Sequence, residues 1–289
     1  MSAQRLLAML KQPSIRFTQP SALNDPYECH LTLDRGALLA HYREARRKSE
    51  PAISVERLNE ALTFAEDQLV IDALLHYRER RNNLGVVSLS EDPLQLLMWA
   101  HYGDEHRGAV VEIDWTHPSL LPGSEGGDRY SDIRKVDYTK KKIFGIPLPS
   151  TIVDVLSTKS TDWSYEREWR LVRTLNLTRK ASEGVYVVDF DLSAIRTIYL
   201  GAHFDSQHLN EIHKLTLECE HPKPVILKVD ISPHCFELRT TNVEKYGLKL
   251  LHREHHFGDA APEALTCLPM DDDVGAESFV HDFSHPDPA

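Results

Sequence analysis

The spacing of apolar residues predicts helices throughout the first third of the chain. Leucines recur at helical spacing before Pro13, which predicts a helix over residues 1–11. Two more helices are predicted over residues 35–48 and 54–81, and Ser54 is a suitable N-cap for the second of them. Apolar residues recur every three or four positions along that second helix, so one of its faces is expected to be buried.

Residue 84 marks a change from this helical pattern to alternating strands. The segment "LGVVSLS" predicts a strand, "DPLQLLMWAHYG" a helix that opens at Pro93 and closes at Gly103, and "GAVVEID" a second strand. We therefore expect strand, helix and strand over residues 84–115. Leu97 and Trp99 are expected to be at least partly buried under the sheet.

Strand-like segments dominate the remainder of the chain. They are "DIRKVDYT", "EWRLVRTL", "VYVVDFD", "IRTIYLG", "PVILKVDI" and "FELRTT", and one predicted helix, "DSQHLNEIHKLTLEC", interrupts them. Helices early and strands late are typical of an α+β fold. The prediction is a mixed, strongly twisted sheet behind a helical N-terminal third.

One of these segments, "STDWSYEREWRLVR" at residues 160–173, concentrates charged and aromatic side chains. A period of two places Glu166, Glu168 and Arg170 on one face, with Trp169 and Leu171 on the other. This alternation favours a half-buried strand. A helix stays open as an alternative, since Glu166 and Arg170 are four residues apart with the acid first.

The net charge of −11 is concentrated at the C-terminal end of the chain. Nine acidic residues and no lysine or arginine follow Arg253, so −11 less −9 leaves −2 for residues 1–253. We expect one α+β domain over residues 1–253 and a mobile acidic tail over residues 254–289. The near-neutral domain neither excludes nor favours a nucleic-acid partner.

A cytoplasmic location is expected from two features of the sequence. No apolar run reaches the length needed to cross a bilayer, and the first residues lack a signal-peptide pattern. The four cysteines are scattered, which fits a reducing compartment better than a disulfide framework. No membrane partner is therefore expected.

Three segments combine residue types that carry chemistry. Each has an ordinary structural interpretation as well: a turn, a core helix and a row of ion pairs. The candidates are Asn24, Asp25 and Glu28 in the first segment; Ser88, Ser90, Trp99, Tyr102, His101 and His106 in the second; and Glu166, Glu168 and Arg170 in the third.

Classical motifs are missing from the sequence. There is no phosphate-binding glycine loop, no GxSxG and no HExxH. Four residues, Cys219, His221, His234 and Cys235, have the ligand types that zinc prefers, but their spacing matches no finger or ribbon. We predict no metal site.

Four stretches occur in an order that resembles the bacterial family catalogued as domain of unknown function 2971. They are "FTQPSALNDPYE", "VVSLSEDPLQLLMWAHYGDEHRGAVVEID", "WSYEREWRLV" and "IRTIYLGAHFDSQHLNEI". The resemblance runs from about Ser14 to Thr241. It implies no activity, because that of the family is unassigned.

The layout is more distantly similar to the ADP-ribosyltransferase superfamily, whose members use NAD. That resemblance implies a serine strand carrying Ser88 and Ser90, and a helix under nicotinamide carrying Trp99 and Tyr102. It also implies a catalytic Glu-x-Glu strand. Glu168 would stabilise positive charge developing on the ribose, and Glu166 would orient or deprotonate the acceptor, which would be a nucleic acid or a protein.

The sequence departs from the superfamily at its start. Members place an Arg or His on an early strand to hold the cofactor, whereas this chain begins at a helix. Either Arg16 takes that role, or the group lies upstream of an N-terminus that was lost or misassigned, or the protein does not bind the dinucleotide. Arg170 would hold a phosphate or neutralise the two acids. This interpretation predicts an NAD-using enzyme of bacterial toxin or phage-defence type.

Two other function classes stay open. Metal-assisted hydrolysis would use ligands from Asp25, Glu28, His101, His106 and the glutamate pair. A non-catalytic module would instead bind a ligand or partner in a pocket rich in Trp and Tyr.

Overall fold

The computed structural model describes residues 1–121, 133–217, 222–244 and 247–249. The predicted acidic tail, Cys219 and His221 lie outside these ranges. Six α-helices lie within them: α1 (Ala3–Lys11), α2 (Arg35–Ser49), α3 (Val55–Asn82), α4 (Leu96–Tyr102), α5 (Pro149–Leu156) and α6 (Leu209–Leu217). None of these helices is both long and apolar enough to cross a membrane.

The strands of the described residues are short and numerous. They are β1 (Ser14–Phe17), β2 (Thr32–Leu33), β3 (Leu84–Ser90), β4 (Ala109–Ile113), β5 (Ile133–Lys135), β6 (Asp137–Thr139), β7 (Phe144–Gly145), β8 (Thr158–Ser160), β9 (Glu168–Thr174), β10 (Arg179–Ser182), β11 (Val185–Asp189), β12 (Ile195–Leu200), β13 (Val225–Ile231), β14 (Leu238–Glu244) and β15 (Gly247–Lys249). The α+β prediction is confirmed, and the strands are divided among several sheets.

Two sheets organise the molecule. The larger has the order β15-β14-β13-β12-β4 and is mixed, because β12 and β13 are parallel while its other neighbours are antiparallel. The second has the order β3-β9-β5 and is antiparallel. A third sheet, β1-β11-β10, joins the second through a bridge between Thr18 and Val86.

The two main sheets have separate cores. Helices α1 and α6 cover the larger sheet, where Leu6, Ile198 and Ile212 are completely buried. Helices α3 and α5 contribute Tyr77 and Ile152 to a core against β3 and β9. The helical periodicity of the first third is thus explained by packing, with only part of each helix buried.

The N-terminal helices begin where their caps predict. The Ser54 hydroxyl accepts a hydrogen bond from the Arg57 amide at the start of α3, and the Asp34 carboxylate accepts one from Ala37 at the start of α2. Each bond satisfies an amide that the helix leaves without a partner. The predicted helices over residues 35–48 and 54–81 are therefore confirmed.

The predicted strand, helix and strand over residues 84–115 are also confirmed, as β3, α4 and β4. Helix α4 begins at Leu96 rather than Pro93, because the Gln95 side chain accepts from the Leu97 amide and caps it there. Trp99 is fully buried, as expected. The prediction for Leu97 is wrong, since its side chain is exposed.

The single strand predicted from residue 160 onward is wrong in its first half. Residues 161–166 form a 3₁₀ helix, capped by the Ser160 hydroxyl, which accepts from the Asp162 amide. Such local side-chain bonds compete with strand pairing. Arg167 then adopts a left-handed conformation with φ of 45°, and the strand begins at Glu168.

Candidate functional site

Five charged side chains are buried together on the face of β9 that is covered by α3 and α5. They form the ion cluster, which consists of Glu28, Lys159, Glu166, Glu168 and Arg170, each between 1% and 5% exposed. Burying ions costs several kcal/mol for each one unless partners compensate. The contacts within the cluster therefore decide what it can do.

Arg170 holds two of the three carboxylates. Its Nε lies 2.7 Å from Glu168 Oε1 and one terminal nitrogen lies 3.0 Å from Oε2, so the pair is bidentate. That same nitrogen also donates to Glu28 Oε2. The other terminal nitrogen donates to the carbonyl of Leu156, 2.8 Å away at the C-terminal end of α5, where a cation is favoured by the helix dipole.

Lys159 touches all three carboxylates. Its ammonium donates to Glu166 Oε2 at 2.5 Å and to Glu168 Oε2 at 3.3 Å. Glu28 Oε1 lies 3.0 Å away, in an ion pair without hydrogen-bond alignment. The ammonium also lies 4.8 Å from the centre of the Trp163 ring, a cation–π contact.

The third glutamate, Glu166, is the least neutralised. Its Oε1 accepts from the Tyr102 hydroxyl at 2.9 Å, and that hydroxyl accepts from the Asn24 amide at 2.8 Å. The two donors in this series of hydrogen bonds, the Asn24 amide and the Tyr102 hydroxyl, are both neutral. With all its members ionised, the cluster has three negative and two positive charges, and the excess negative charge lies on the Tyr102 side.

Several hydrogen bonds between side chains and the backbone hold these residues in place. The Ser90 hydroxyl donates to the Glu166 carbonyl at 2.8 Å, which ties the 3₁₀ helix to β3. The Tyr138 hydroxyl accepts from the Glu168 amide at 2.8 Å. Asp25 is a turn residue, since its carboxylate accepts from the Tyr27 amide, and this turn directs Glu28 inward.

These contacts shift the pKa values of Glu168, Lys159 and Tyr102. Burial raises the pKa of Glu168, but the Arg170 and Lys159 charges and the nearby Ser88 hydroxyl lower it by more, so its pKa lies below the usual value. Burial lowers the pKa of Lys159, yet the three carboxylates raise it above its usual range. Burial and the Glu166 charge raise the pKa of Tyr102 to about 12, which keeps its hydroxyl protonated as a donor.

An aromatic rim borders the cluster on its Tyr102 side. The rim consists of His101, Tyr102, Trp163 and Tyr165. His101 lies 6.3 Å from the Tyr102 ring and 6.4 Å from the Tyr165 ring, measured between centres, and the Trp163 and Tyr165 centres are 6.1 Å apart. Tyr102 and His101 are exposed, so the rim lies at the surface above Glu166.

Most of the residues predicted from the sequence converge here. The 3₁₀ helix and β9 supply Glu166, Glu168 and Arg170; β3 supplies Ser88 and Ser90; and α4 supplies Tyr102 and His101. Ser88 and Ser90 stand opposite Arg170 and Glu168 in the β3–β9 register. Asn24 and Glu28 arrive from the segment after β1, with Asp25 supporting them.

Three predicted residues lie elsewhere. Arg16 is exposed on β1, and no ion pair or side-chain hydrogen bond joins it to another described residue. Trp99 is fully buried among Tyr199, Leu227 and Val229, with its indole donating to the Pro93 carbonyl, and so has no surface for a ligand to cover. His106 stacks beside Trp99 with ring centres 6.2 Å apart.

Lys159 and Tyr138 were missed by the sequence analysis. Lys159 lies in the polar stretch "STKST", where nothing in the hydrophobic pattern marks it as buried. The clue that could have pointed to Lys159 was electrostatic, because Glu166, Glu168 and Glu28 need more than one cation if all three are buried. No group of three or more His, Cys, Asp or Glu side chains in the described ranges has the geometry to hold a metal ion.

Residues 98–171, about a quarter of the 289-residue chain, match the model of a family described as a protein of unknown function, DUF2971. This segment includes Tyr102, Lys159, Glu166, Glu168 and Arg170, and it ends within β9. The match is shorter than the resemblance stated above from Ser14 to Thr241. Neither the curated proteins nor the solved structures gave a match.

Proposed function

We propose that the ion cluster is the catalytic centre of an NAD-using enzyme of the ADP-ribosyltransferase type, and that Glu166 is the carboxylate that meets the substrate. The observation that carries the proposal is the unequal neutralisation of the two glutamates. Glu168 is held bidentate by Arg170, whereas Glu166 Oε1 meets only the neutral Tyr102 hydroxyl.

The excess negative charge at Glu166 suits the chemistry. Cleavage of the bond between ribose and nicotinamide develops positive charge on the ribose, and a fixed carboxylate stabilises that charge where it forms. Glu166 is buried, so the surrounding low dielectric strengthens this interaction. The net charge of the cluster therefore favours a ligand that becomes more positive during reaction.

The Tyr102 hydroxyl occupies the position that a substrate hydroxyl would need. It donates to Glu166 from an exposed side chain on the aromatic rim, so a ribose hydroxyl can replace it if the phenol ring turns outward. The rim residues His101, Tyr165 and Trp163 then supply flat surfaces for an aromatic base. In this proposal they take the role that the sequence analysis assigned to Trp99.

Glu168 becomes a positioning residue rather than the one gripping ribose. Its carboxylate orients Arg170 and Lys159, and Lys159 in turn holds Glu166 through Oε2. The order of roles is thus the reverse of that implied by the resemblance. The acceptor in this proposal is a nucleic acid or a protein, in a bacterial toxin or phage-defence setting.

The test is nicotinamide release from NAD by the full chain, in the presence of nucleic-acid and protein acceptors. Glu166→Gln should lower the rate by about 100-fold or more, the usual scale for an electrostatic group at the transition state. The matched control is Glu211→Gln, because Glu211 pairs with Lys11 at the exposed end of α6 and should leave the rate unchanged. A melting curve of each variant checks that it folds.

Two results would overturn the proposal. Equal rates of nicotinamide release for Glu166→Gln and the parent would show that Glu166 has no part in the reaction. If the parent neither releases nicotinamide nor gains thermal stability from NAD, then NAD is not its substrate or ligand.

A non-catalytic binding module is the second candidate. The observation that favours it is the near-complete pairing of the cluster, in which both Arg170 and Lys159 already bind carboxylates. NAD that raises the melting temperature of the parent without being consumed would support this candidate over the enzyme.

A further inference from the structure

Helix α3 carries an apolar stripe on its exposed side. Phe64, Ile71 and Leu75 are 96%, 49% and 57% exposed. Their spacing of seven and four residues places them within a sector of about 40° on a helix of 3.6 residues per turn. We refer to these three residues as the α3 stripe.

The α3 stripe lies opposite the side that the fold already uses. Val70 and Ala73 pack with Leu38 of α2, and Tyr77 packs against β3 and α5. These positions are centred about 150° around the helix from the stripe. A helix with apolar residues on both sides is expected to have a partner on both sides, and in the described residues only one side has it.

We propose that the α3 stripe is the interface between two copies of this chain, with the two α3 helices antiparallel about a two-fold axis. The stripe is self-complementary in this arrangement. Phe64 and Leu75 are equally distant from a midpoint between Leu69 and Val70, so each Phe64 meets Leu75 of the other copy. A two-fold interface requires this kind of reciprocal contact.

Charge along α3 also fits a second copy. The first half of the helix carries a net charge of −3, from Glu56, Glu60, Glu66 and Asp67 less Arg57. The second half carries +1, from Arg78, Arg80 and Arg81 less Asp72 and Glu79. An antiparallel pair places acidic halves against basic ends. A parallel pair would place like charges together, at an energetic cost.

One reciprocal ion pair is specific enough to test. Glu60 and Arg78 lie on the same flank of the α3 stripe, each about 13 to 14 Å from its midpoint at a rise of 1.5 Å per residue. In the antiparallel pair Glu60 of each copy therefore meets Arg78 of the other. Within the described part of the chain neither side chain has an ion pair or side-chain hydrogen bond.

Sedimentation velocity of the full chain, from micromolar to submillimolar concentration, tests the proposal. The parent should form a dimer as concentration rises. Phe64→Asp should remain monomeric, with the melting curve that the parent shows at concentrations where it is monomeric. Phe236→Asp is the matched control, because Phe236 is 99% exposed but lies outside α3. It should dimerise like the parent.

Charge reversal then tests the geometry. Glu60→Arg and Arg78→Glu should each weaken dimerisation about tenfold or more, and the double variant should restore it. A parent that is monomeric at every concentration would overturn the interface, as would a Phe64→Asp variant that dimerises normally. A double variant no better than the singles would overturn the antiparallel arrangement.

Discussion

The two main sheets of the molecule are built on opposite principles. Around β12 and β13 the core is apolar, with Ile198, Leu200 and Val229 completely buried. On the covered face of β9 the equivalent space contains Glu168 and Arg170, surrounded by three further ions. One region is filled by hydrocarbon, and the other combines an apolar core with five buried charges.

This difference separates stability from function. Burying an aliphatic side chain contributes about 1.5 to 3 kcal/mol. A buried ion pair, by contrast, is often no more stabilising than apolar residues of similar volume, although breaking it is costly. The apolar cores therefore explain why the chain folds, and the ion cluster requires another explanation, for which we propose ligand chemistry.

The largest effect is expected from removing a cation of the ion cluster. Arg170→Met should lower the free energy of unfolding by about 3 to 5 kcal/mol, because Glu168 and Glu28 lose their partner while staying buried. Urea unfolding measures the change. Arg170→Met combined with Glu168→Met should recover part of the loss, because the second change removes one of the stranded charges.

The apolar sheet provides the contrast. Ile198→Ala should also cost about 2 to 5 kcal/mol, but adding Glu168→Met to it should give only the sum of the two single effects. A loss below about 1 kcal/mol for Arg170→Met would erase the distinction between the two regions.

A smaller and pH-dependent effect is expected for Glu168→Gln. The folded-state pKa of Glu168 lies below its ordinary 4.5, so its charge stabilises the fold above pH 4.5 and this contribution is lost as the pH falls through the folded pKa. At neutral pH the free energy of unfolding of the parent should exceed that of the variant by about 1 to 3 kcal/mol. That difference should shrink below pH 4.5.

The control for this pH dependence is Ile198→Val in the apolar sheet. This substitution should lower the free energy of unfolding by about 0.5 to 1.5 kcal/mol. The loss should be the same at neutral pH and below pH 4.5, since no titrating group is changed. A Glu168→Gln difference that stays constant down to acid pH would mean that the Glu168 charge does not stabilise the fold.

The smallest effect is expected at Ser90. Ser90→Ala removes one neutral hydrogen bond, from the hydroxyl to the Glu166 carbonyl, and should cost about 0.5 to 1.5 kcal/mol. Chemical denaturation measures it. Because this bond fixes the backbone of the 3₁₀ helix, the nicotinamide release that we propose should fall too. A loss of stability with unchanged release would show that Glu166 keeps its position without this bond.

Elements governed by local chemistry could be predicted from the sequence. The Ser54 cap and the helical spacing located α3, and the strand-like segment "LGVVSLS", followed by the helix-opening Pro93, located β3. The segment from residue 160 was harder, because its alternating letters fit a strand while the Ser160 hydroxyl stabilises a 3₁₀ turn. Glu166 and Glu168 were expected on one face, and they do meet, although for a different reason.

The ion cluster needed contacts that no single segment contains. Glu28 and Arg170 are 142 residues apart, and their pairing depends on how the segment after β1 crosses β9. Trp99 shows the opposite failure. Its residue type suggested a ligand platform, but the packing of α4 against β12 and β13 uses the ring as core.

The left-handed backbone at Arg167 constrains how sequences with this arrangement can vary. Its φ of 45° ends the 3₁₀ helix and turns Glu166 and Glu168 toward the same cations. Glycine, asparagine and aspartate accept that conformation readily, whereas valine and isoleucine resist it strongly. In related sequences that keep the glutamate pair, we expect glycine, asparagine or aspartate at position 167 more often than valine or isoleucine. This holds although the Arg167 side chain contacts neither glutamate.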